Sequence, residues 1–190
     1  MKSDQDLIAN TIAGETAAFQ ALVERYQRRI FSFLRGLGVS SSDIDDVAQD
    51  TFFKAFKYLP KYDEKKASFS TWIYTIAKNT AFNHFSYQNH RRKKADDVAM
   101  HQETLTKADN IEKNLLEKDQ NARVRNALKQ VPEPFLTALV LSYFKGLSQV
   151  DIAKIEACSV GTVKSRIYRG KQALKHVLER SPAMKRGGEE

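Results

Sequence analysis

A single cysteine, Cys158, in 190 residues excludes an internal disulfide. Nothing therefore points to an oxidising compartment, and the cytoplasm is the expected location. No apolar run approaches the roughly 20 residues a membrane-spanning helix needs, and mean hydropathy is −0.52, so membrane insertion is not expected. The first ten residues, MKSDQDLIAN, carry acids where a signal peptide needs an uncharged apolar core. The four histidines, His84, His90, His101 and His176, have no HxxxH or CxxC partner, which argues against zinc. There is no glycine-rich phosphate loop and no GxSxG. Neither a metal, a cofactor nor an enzymatic activity is expected.

Strand signals are also missing. There is no hairpin dipeptide between apolar runs and no sustained alternation of apolar and polar residues. With only 4 prolines and 8 glycines, most of them between helical patterns, the chain reads as all-α. What it has in excess is positive charge. A net +8 and a pI near 9.5 point to a polyanion, with nucleic acid favoured over a membrane surface.

The helices follow from spacing and breakers. The first is expected over about Asp4 to Ala13, with Ser3 as cap and Gly14 as break. The second spans about Glu15 to Leu37. The third follows a Ser42 or Asp43 cap and ends near Tyr58, with acids early and lysines late, as the helix dipole favours. After the polar loop KYDEKKA, Ser68 or Ser70 opens a fourth that ends in the basic run Arg91 to Lys94. The sequence then turns polar and loses its aromatics. A helix from about Glu112 to Gln130, another from Phe135 to Phe144 and a final helical pair complete the chain. This gives two small helical domains, 1–94 and 112–180, joined by a flexible linker, 95–111, with a tail at 181–190.

The final pair, Ser148 to Lys175, has the pattern of a helix-turn-helix. Ser148 caps Gln149 to about Ile155, whose expected apolar contacts are Val150, Ala153 and Ile155. Glu156 to Ser159 form the turn, in which Cys158 is expected to be half-buried. At about 100° per residue, Val163, Ile167, Gly170 and Leu174 fall on one face of the second helix. Lys164, Ser165, Tyr168, Arg169, Lys171, Gln172 and Lys175 sweep the other, with five basic residues and no acid between Lys164 and Lys175. Lys and Arg suit phosphates, and Arg and Gln also suit base edges. An ordinary hairpin with a solvated basic face shares this two-helix pattern. Gly161 and Gly170 favour the DNA-binding reading, because glycine inside a helix costs about 1 kcal/mol against alanine and so implies a close approach.

Two further constellations stand out. In the fourth helix, aromatic residues interleave with Asn79, Asn83 and Asn89 and with Lys78, Arg91 and Arg92. Aromatic faces stack on unpaired bases and a basic rim follows the backbone. Trp72, Ile73, Ile76 and Phe82 are better placed as core; Asn79, Asn83, Tyr87 and the basic run fit a nucleic-acid surface. In the third helix, Asp46 and Asp50 lie one turn apart with no histidine or cysteine nearby, which suits a protein-docking face more than a metal site.

The segments DDVAQDTFFKAFKYLPKYD, FSTWIYTIAKNTAFNH and LSQVDIAKIEACSVGTVKSRIYRGKQAL, in this order, resemble bacterial RNA polymerase sigma factors of the extracytoplasmic-function group of the sigma-70 family. The resemblance spans about Asp6 to Leu178. It implies that domain 1–94 is region 2-like and domain 112–180 region 4-like, with core RNA polymerase (β′ clamp helices and β flap), promoter DNA and an anti-sigma factor as partners and a monomer when unbound. It places Asp46, Gln49, Asp50 and Phe53 against polymerase. Lys61, Ser70, Trp72, Lys78, Asn79, Asn83, Tyr87, Arg91 and Arg92 would meet the minus-ten element, with Lys61 to Thr71 as a base-capturing loop. Lys164, Ser165, Tyr168, Arg169, Lys171 and Lys175 would meet the minus-thirty-five element. On the residues alone, a stand-alone helix-turn-helix regulator stays open. It would have a sensor or dimerisation domain, an apolar pocket within 1–93 and a palindromic site.

Overall fold

A computed structural model describes residues 2–98, 123–124 and 126–180; among them there is helix and no strand. Helix α1 (Asp4–Ile12) opens on a capping box, with the Ser3 Oγ accepting from the Asp6 amide at 3.1 Å and Asp6 accepting from the Ser3 amide at 2.8 Å. Helix α2 (Thr16–Gly36) buries Leu22, Tyr26, Ile30, Phe33 and Leu34 at helical spacing. It stops because Gly38 takes a φ of +93°, letting the Val39 amide turn back onto the Leu34 carbonyl. Helix α3 (Ile44–Tyr58) follows, and a short 3-10 turn (Leu59–Lys61) leads into the polar loop. Asp43 precedes α3 but does not cap it with its side chain. Its carboxylate is taken by the Ser40 hydroxyl at 2.6 Å and by His84 at 3.3 Å.

Helix α4 (Phe69–Val98) is the longest element among the described residues. Ser68, rather than Ser70, accepts from the Thr71 amide at its start. The helix runs four residues past the expected boundary at 94, because no glycine or proline lies between Trp72 and Val98 to stop it. The rest of the expected linker, most of the helix from 112 and the tail at 181–190 lie outside the described residues. Helix α5 (Glu133–Leu139) continues as a π-helical segment (Val140–Phe144), where a plain α-helix was expected. Then come α6 (Gln149–Glu156) and α7 (Val160–Arg180).

Two groups of side chains make the core. In the first half Leu22, Ile30, Phe33, Leu34, Leu59 and Ile73 are nearly or fully buried; in the second Leu141, Ile152, Ile155 and Val163 are. Each such side chain contributes about 1.5–3 kcal/mol on leaving water. The expected role of Val150 is corrected: it is 56% exposed, and Ile152 fills the core in its place. In the register set by the Ser148 cap, Ile152 and Ile155 share the inward face and Val150 points out. The two halves are in contact. A Cβ built on Gly36 of α2 would lie 2.8 Å from a Val140 methyl, and α6 lies along α4.

Candidate nucleic-acid interface

On α3 the inward stripe is Ile44, Val47, Ala48, Thr51, Phe52 and Ala55. That leaves Asp46, Gln49 and Asp50 exposed on the opposite side. Phe53 stands among them with 63% of its surface in water. The adjacent Phe52 and Phe53 point about 100° apart, so only one can join the core. Lys54 holds Asp50 at 2.7 Å, while Asp46 has no ion pair among the described residues. Phe56 and Tyr58 extend the exposed apolar surface. The sequence reading missed them because an aromatic residue in an amphipathic helix reads as core by default. An exposed phenyl ring ringed by carboxylates is a surface suited to another protein.

Helix α4 lies beside α3, and this brings two separately predicted groups together. Asp46 and Asp50 of α3 and Asn83 and Tyr87 of α4 line one shallow groove with Val47, Thr80 and His84. Tyr87 is 61% exposed, and the Arg91 guanidinium sits 5.9 Å from its ring centre. Asn79 is exposed one turn before Asn83. Ile73 is core, as expected, while Ile76 and Phe82, expected there too, are only partly buried. Trp72 is half-buried, packed on Tyr62 and Phe69 at 5.2 and 5.6 Å between ring centres. The Arg92 side chain lies outside the described residues.

The loop before α4 is internally braced. The Tyr62 hydroxyl donates to the Ala67 carbonyl at 3.0 Å, and the Lys65 amide to Asp63 at 3.0 Å. Burial, then the nearby carboxylates of Glu64, Asp4 and Asp63, push the Tyr62 phenol up, so it stays protonated. Gln5 of α1 donates to Glu64 at 2.7 Å, and a cleft between α1 and the loop is floored by Ile8, Tyr62 and Phe69. No sequence signal linked α1 to this loop. Lys61 is exposed, and Ser70 is half-buried in the first turn of α4.

Helix α7 buries only Val163, Ile167 and Gly170. Lys164, Ser165, Tyr168, Arg169, Lys171, Gln172 and Lys175 are all exposed, Tyr168 by 64%. Lys171 sits 4.9 Å from the Tyr143 ring centre, and Lys175 lies 3.7 Å from Glu179. The two glycines separate. A Cβ on Gly170 would be 3.0 Å from the Phe135 carbonyl, so its reason is close packing on α5; Gly161 has only the Ser159 hydroxyl, at 3.7 Å. The turn holds Ala157 in the left-handed region at φ 50°. Cys158 is half-buried, its Sγ 3.7 Å from the Arg166 guanidinium.

Lys78, a predicted contact, is turned toward the C-terminal half instead of solvent. Its side chain is 17% exposed. Its Nζ donates to the Ile155 carbonyl at 2.9 Å and lies 3.8 Å from Glu156. Glu156, 6% exposed, also accepts from Arg166 of α7 at 2.7 Å. Burial pushes the Glu156 carboxyl up; Lys78 and then Arg166 oppose it without winning. The three charges tie α4, α6 and α7 at one point. Sequence reasoning missed Glu156 because an acid in a turn reads as surface.

The chain matches the sigma-70 region 2 family over residues 22–91 and the sigma-70 region 4 family over residues 121–174. It is 35% identical over 184 residues to the RNA polymerase sigma-H factor of Pseudomonas aeruginosa, covering 94% of this chain and 95% of that protein. It is 35% identical over 183 residues to the ECF RNA polymerase sigma-E factor of Haemophilus influenzae, covering 93% and 96%. Among solved structures, it is similar to CnrH, determined with the cytosolic domain of CnrY, at a TM-score of 0.70 and 25% identity over 95% of this chain and 99% of that one. The fold also resembles that of the sigma factor RpoE of Bartonella quintana, at a TM-score of 0.66 and 21% identity, covering 86% and 98%.

Proposed function

The chain belongs to the sigma-70 family, in its extracytoplasmic-function group, and from that premise we propose how its surfaces divide the work of promoter recognition. The exposed face of α3, with Asp46, Gln49, Asp50 and Phe53, docks on the β′ clamp helices of core RNA polymerase. The edge of α4 from Asn79 to Arg91, with the Lys61 to Thr71 loop, holds the unpaired minus-ten strand by stacking and amide hydrogen bonds. Helix α7 enters the major groove at the minus-thirty-five element, and the C-terminal unit rests on the β flap. Duplex contacts anchor the complex and the α4 edge stabilises opened bases. Two weak contacts on one polymerase gain through effective concentration.

The observation that carries this reading is the groove shared by α3 and α4. It sets the polymerase-facing carboxylates beside Asn83 and Tyr87, so a strand held there would already lie against polymerase. A region 2 match over residues 22–91 leaves no sensor domain in the N-terminal half, which removes the regulator reading. The chain acts in the cytoplasm as a monomer until it meets polymerase, and an anti-sigma protein covers the α3 face at rest. The test is transcription in vitro with purified core polymerase and genomic fragments. New start sites are expected with this chain and lost when Asp46 and Asp50 are both changed to alanine. No core binding and no new starts would sink the proposal.

A further inference from the structure

We propose that Tyr143 is a positioning residue for duplex binding: its ring holds the Lys171 ammonium, with its charge intact, where a DNA phosphate on the flank of α7 takes it. Helix α7 sits close on α5, and one ridge sets the contact. Phe135, Leu139 and Tyr143 follow one another at intervals of four. Gly170 lies against the first two: a Cβ there would be 3.0 Å from the Phe135 carbonyl oxygen and 3.5 Å from the Leu139 Cβ. That close approach brings the next residue of α7, Lys171, onto the third. Val140 and Leu141 take the fully buried positions of the π-helical segment, and Tyr143 is left 55% exposed. Its ring centre is 4.9 Å from the Lys171 Nζ. The other cations over rings among the described residues stand at 5.8 to 6.0 Å.

A ring and a carboxylate hold a lysine to different ends. Lys175, one turn further along α7, lies 3.7 Å from Glu179, which offsets its charge and competes with a phosphate. No carboxylate holds Lys171 among the described residues. A π face attracts an ammonium through its quadrupole and leaves the unit charge in place. The side chain gives up rotamer freedom before DNA arrives, so less is lost on binding. Its charge stays available to displace a counterion from the duplex. By helical spacing Lys171 shares one flank of α7 with Lys164 and Lys175, while Ser165 and Arg169 lie further round, away from the buried stripe. A cation on that flank meets the sugar-phosphate wall of a groove before its floor. The role of Tyr143 rests on the reading of α7 as the helix that enters the major groove.

The test is a double-mutant cycle on the full-length chain assembled with core polymerase, read by competition gel shift on a duplex fragment from a mapped start site. Tyr143→Ala is expected to weaken binding about two- to fivefold, the size of one exposed cation–π contact. Tyr143→Phe keeps the aromatic face and should bind as the unmodified chain does. Tyr143→Leu keeps bulk without the face and should match the alanine variant. Lys171→Ala is expected to weaken binding and to lower its salt dependence by about one counterion. Tyr143→Ala should leave that dependence unchanged, because the lysine still meets its phosphate. In the Lys171→Ala background, Tyr143→Ala should cause no further loss. Arg169→Ala reports on α7 itself: if it leaves binding unchanged, the assignment of α7 to duplex DNA falls, and the role of Tyr143 with it. If Arg169→Ala weakens binding, four results overturn the role of Tyr143 alone: a neutral Lys171→Ala, a neutral Tyr143→Ala, an equal Tyr143→Ala loss without Lys171, or a loss shared by Tyr143→Phe.

Discussion

Helices α4 and α7 are both long and basic, yet they carry their charge on differently built surfaces. Helix α4 is built into the protein: Phe69, Ile73, Tyr74, Ala77 and Ala81 are buried along it, and only an edge from Asn79 onward faces water. Helix α7 buries three positions fully, half-buries Ala173 and Leu174 beside them, and leaves its basic side exposed. An element that must enter a groove has to be bare on most of its circumference. An element that catches unpaired bases needs a rigid wall with a few exposed rings and amides. The difference shows that a basic helix is not one kind of surface.

Core truncation should break the comparison most strongly. Phe33→Ala removes a fully buried ring that meets Tyr74 of α4 at 5.1 Å. It is expected to cost about 3–5 kcal/mol, read by denaturant unfolding, and to abolish any function of the α4 edge. Gly170→Val is expected to cost about 1–3 kcal/mol by forcing α7 off α5. Gly161→Ala, whose Cβ would make only an ordinary 3.7 Å contact with the Ser159 hydroxyl, should be neutral or stabilising by up to about 1 kcal/mol.

Two surface changes, Arg169→Ala and Tyr87→Ala, sharpen the same contrast without moving the melting temperature. Arg169→Ala is expected to weaken duplex minus-thirty-five binding by about 1–3 kcal/mol. Tyr87→Ala should weaken binding of the opened minus-ten strand by about 1–3 kcal/mol and leave duplex binding unchanged. Gel-shift titrations on duplex and forked templates separate the two. Ala157→Gly relieves a left-handed alanine, a gain of about 1–2 kcal/mol, against a loss of about 0.4–1 kcal/mol through the freer unfolded chain. A small rise in melting temperature is expected.

The smallest effect concerns acid. The Ser40 hydroxyl, then His84, hold the Asp43 carboxyl below its ordinary range. A depressed carboxyl favours the folded state above its unfolded pKa and loses that favour as pH falls through the folded one. Ser40→Ala should raise the Asp43 pKa, visible by NMR titration, and trim stability at neutral pH while leaving it unchanged in strong acid.

Much of this architecture is legible in the residues because local rules agree with the fold. The Ser3 and Ser148 caps, the stripe Val163, Ile167, Gly170 and Leu174, and the outward Asp46 and Asp50 all follow from spacing. Where the reading went astray, a second segment decided the outcome. Val150 was expected inside, yet it is 56% exposed and Ile152 takes the core position. The break in α-helical hydrogen bonding at Val140 falls where the chain packs on Gly36, which no window of α5 reveals. Lys78 read as a free cation, and only the docked α6 takes it out of solvent. Periodicity reports which face turns inward; it does not report what else will be folded against the outward one.

The central claim is that α4 serves opened DNA and α7 serves duplex. The most direct test is transcription with core polymerase on one promoter, supplied either fully duplex or already melted over the minus-ten element. Tyr87→Ala should be defective on the duplex and largely rescued by melting, while Arg169→Ala should be defective on both. Equal rescue of the two variants, or of neither, would contradict the division of labour between the two helices.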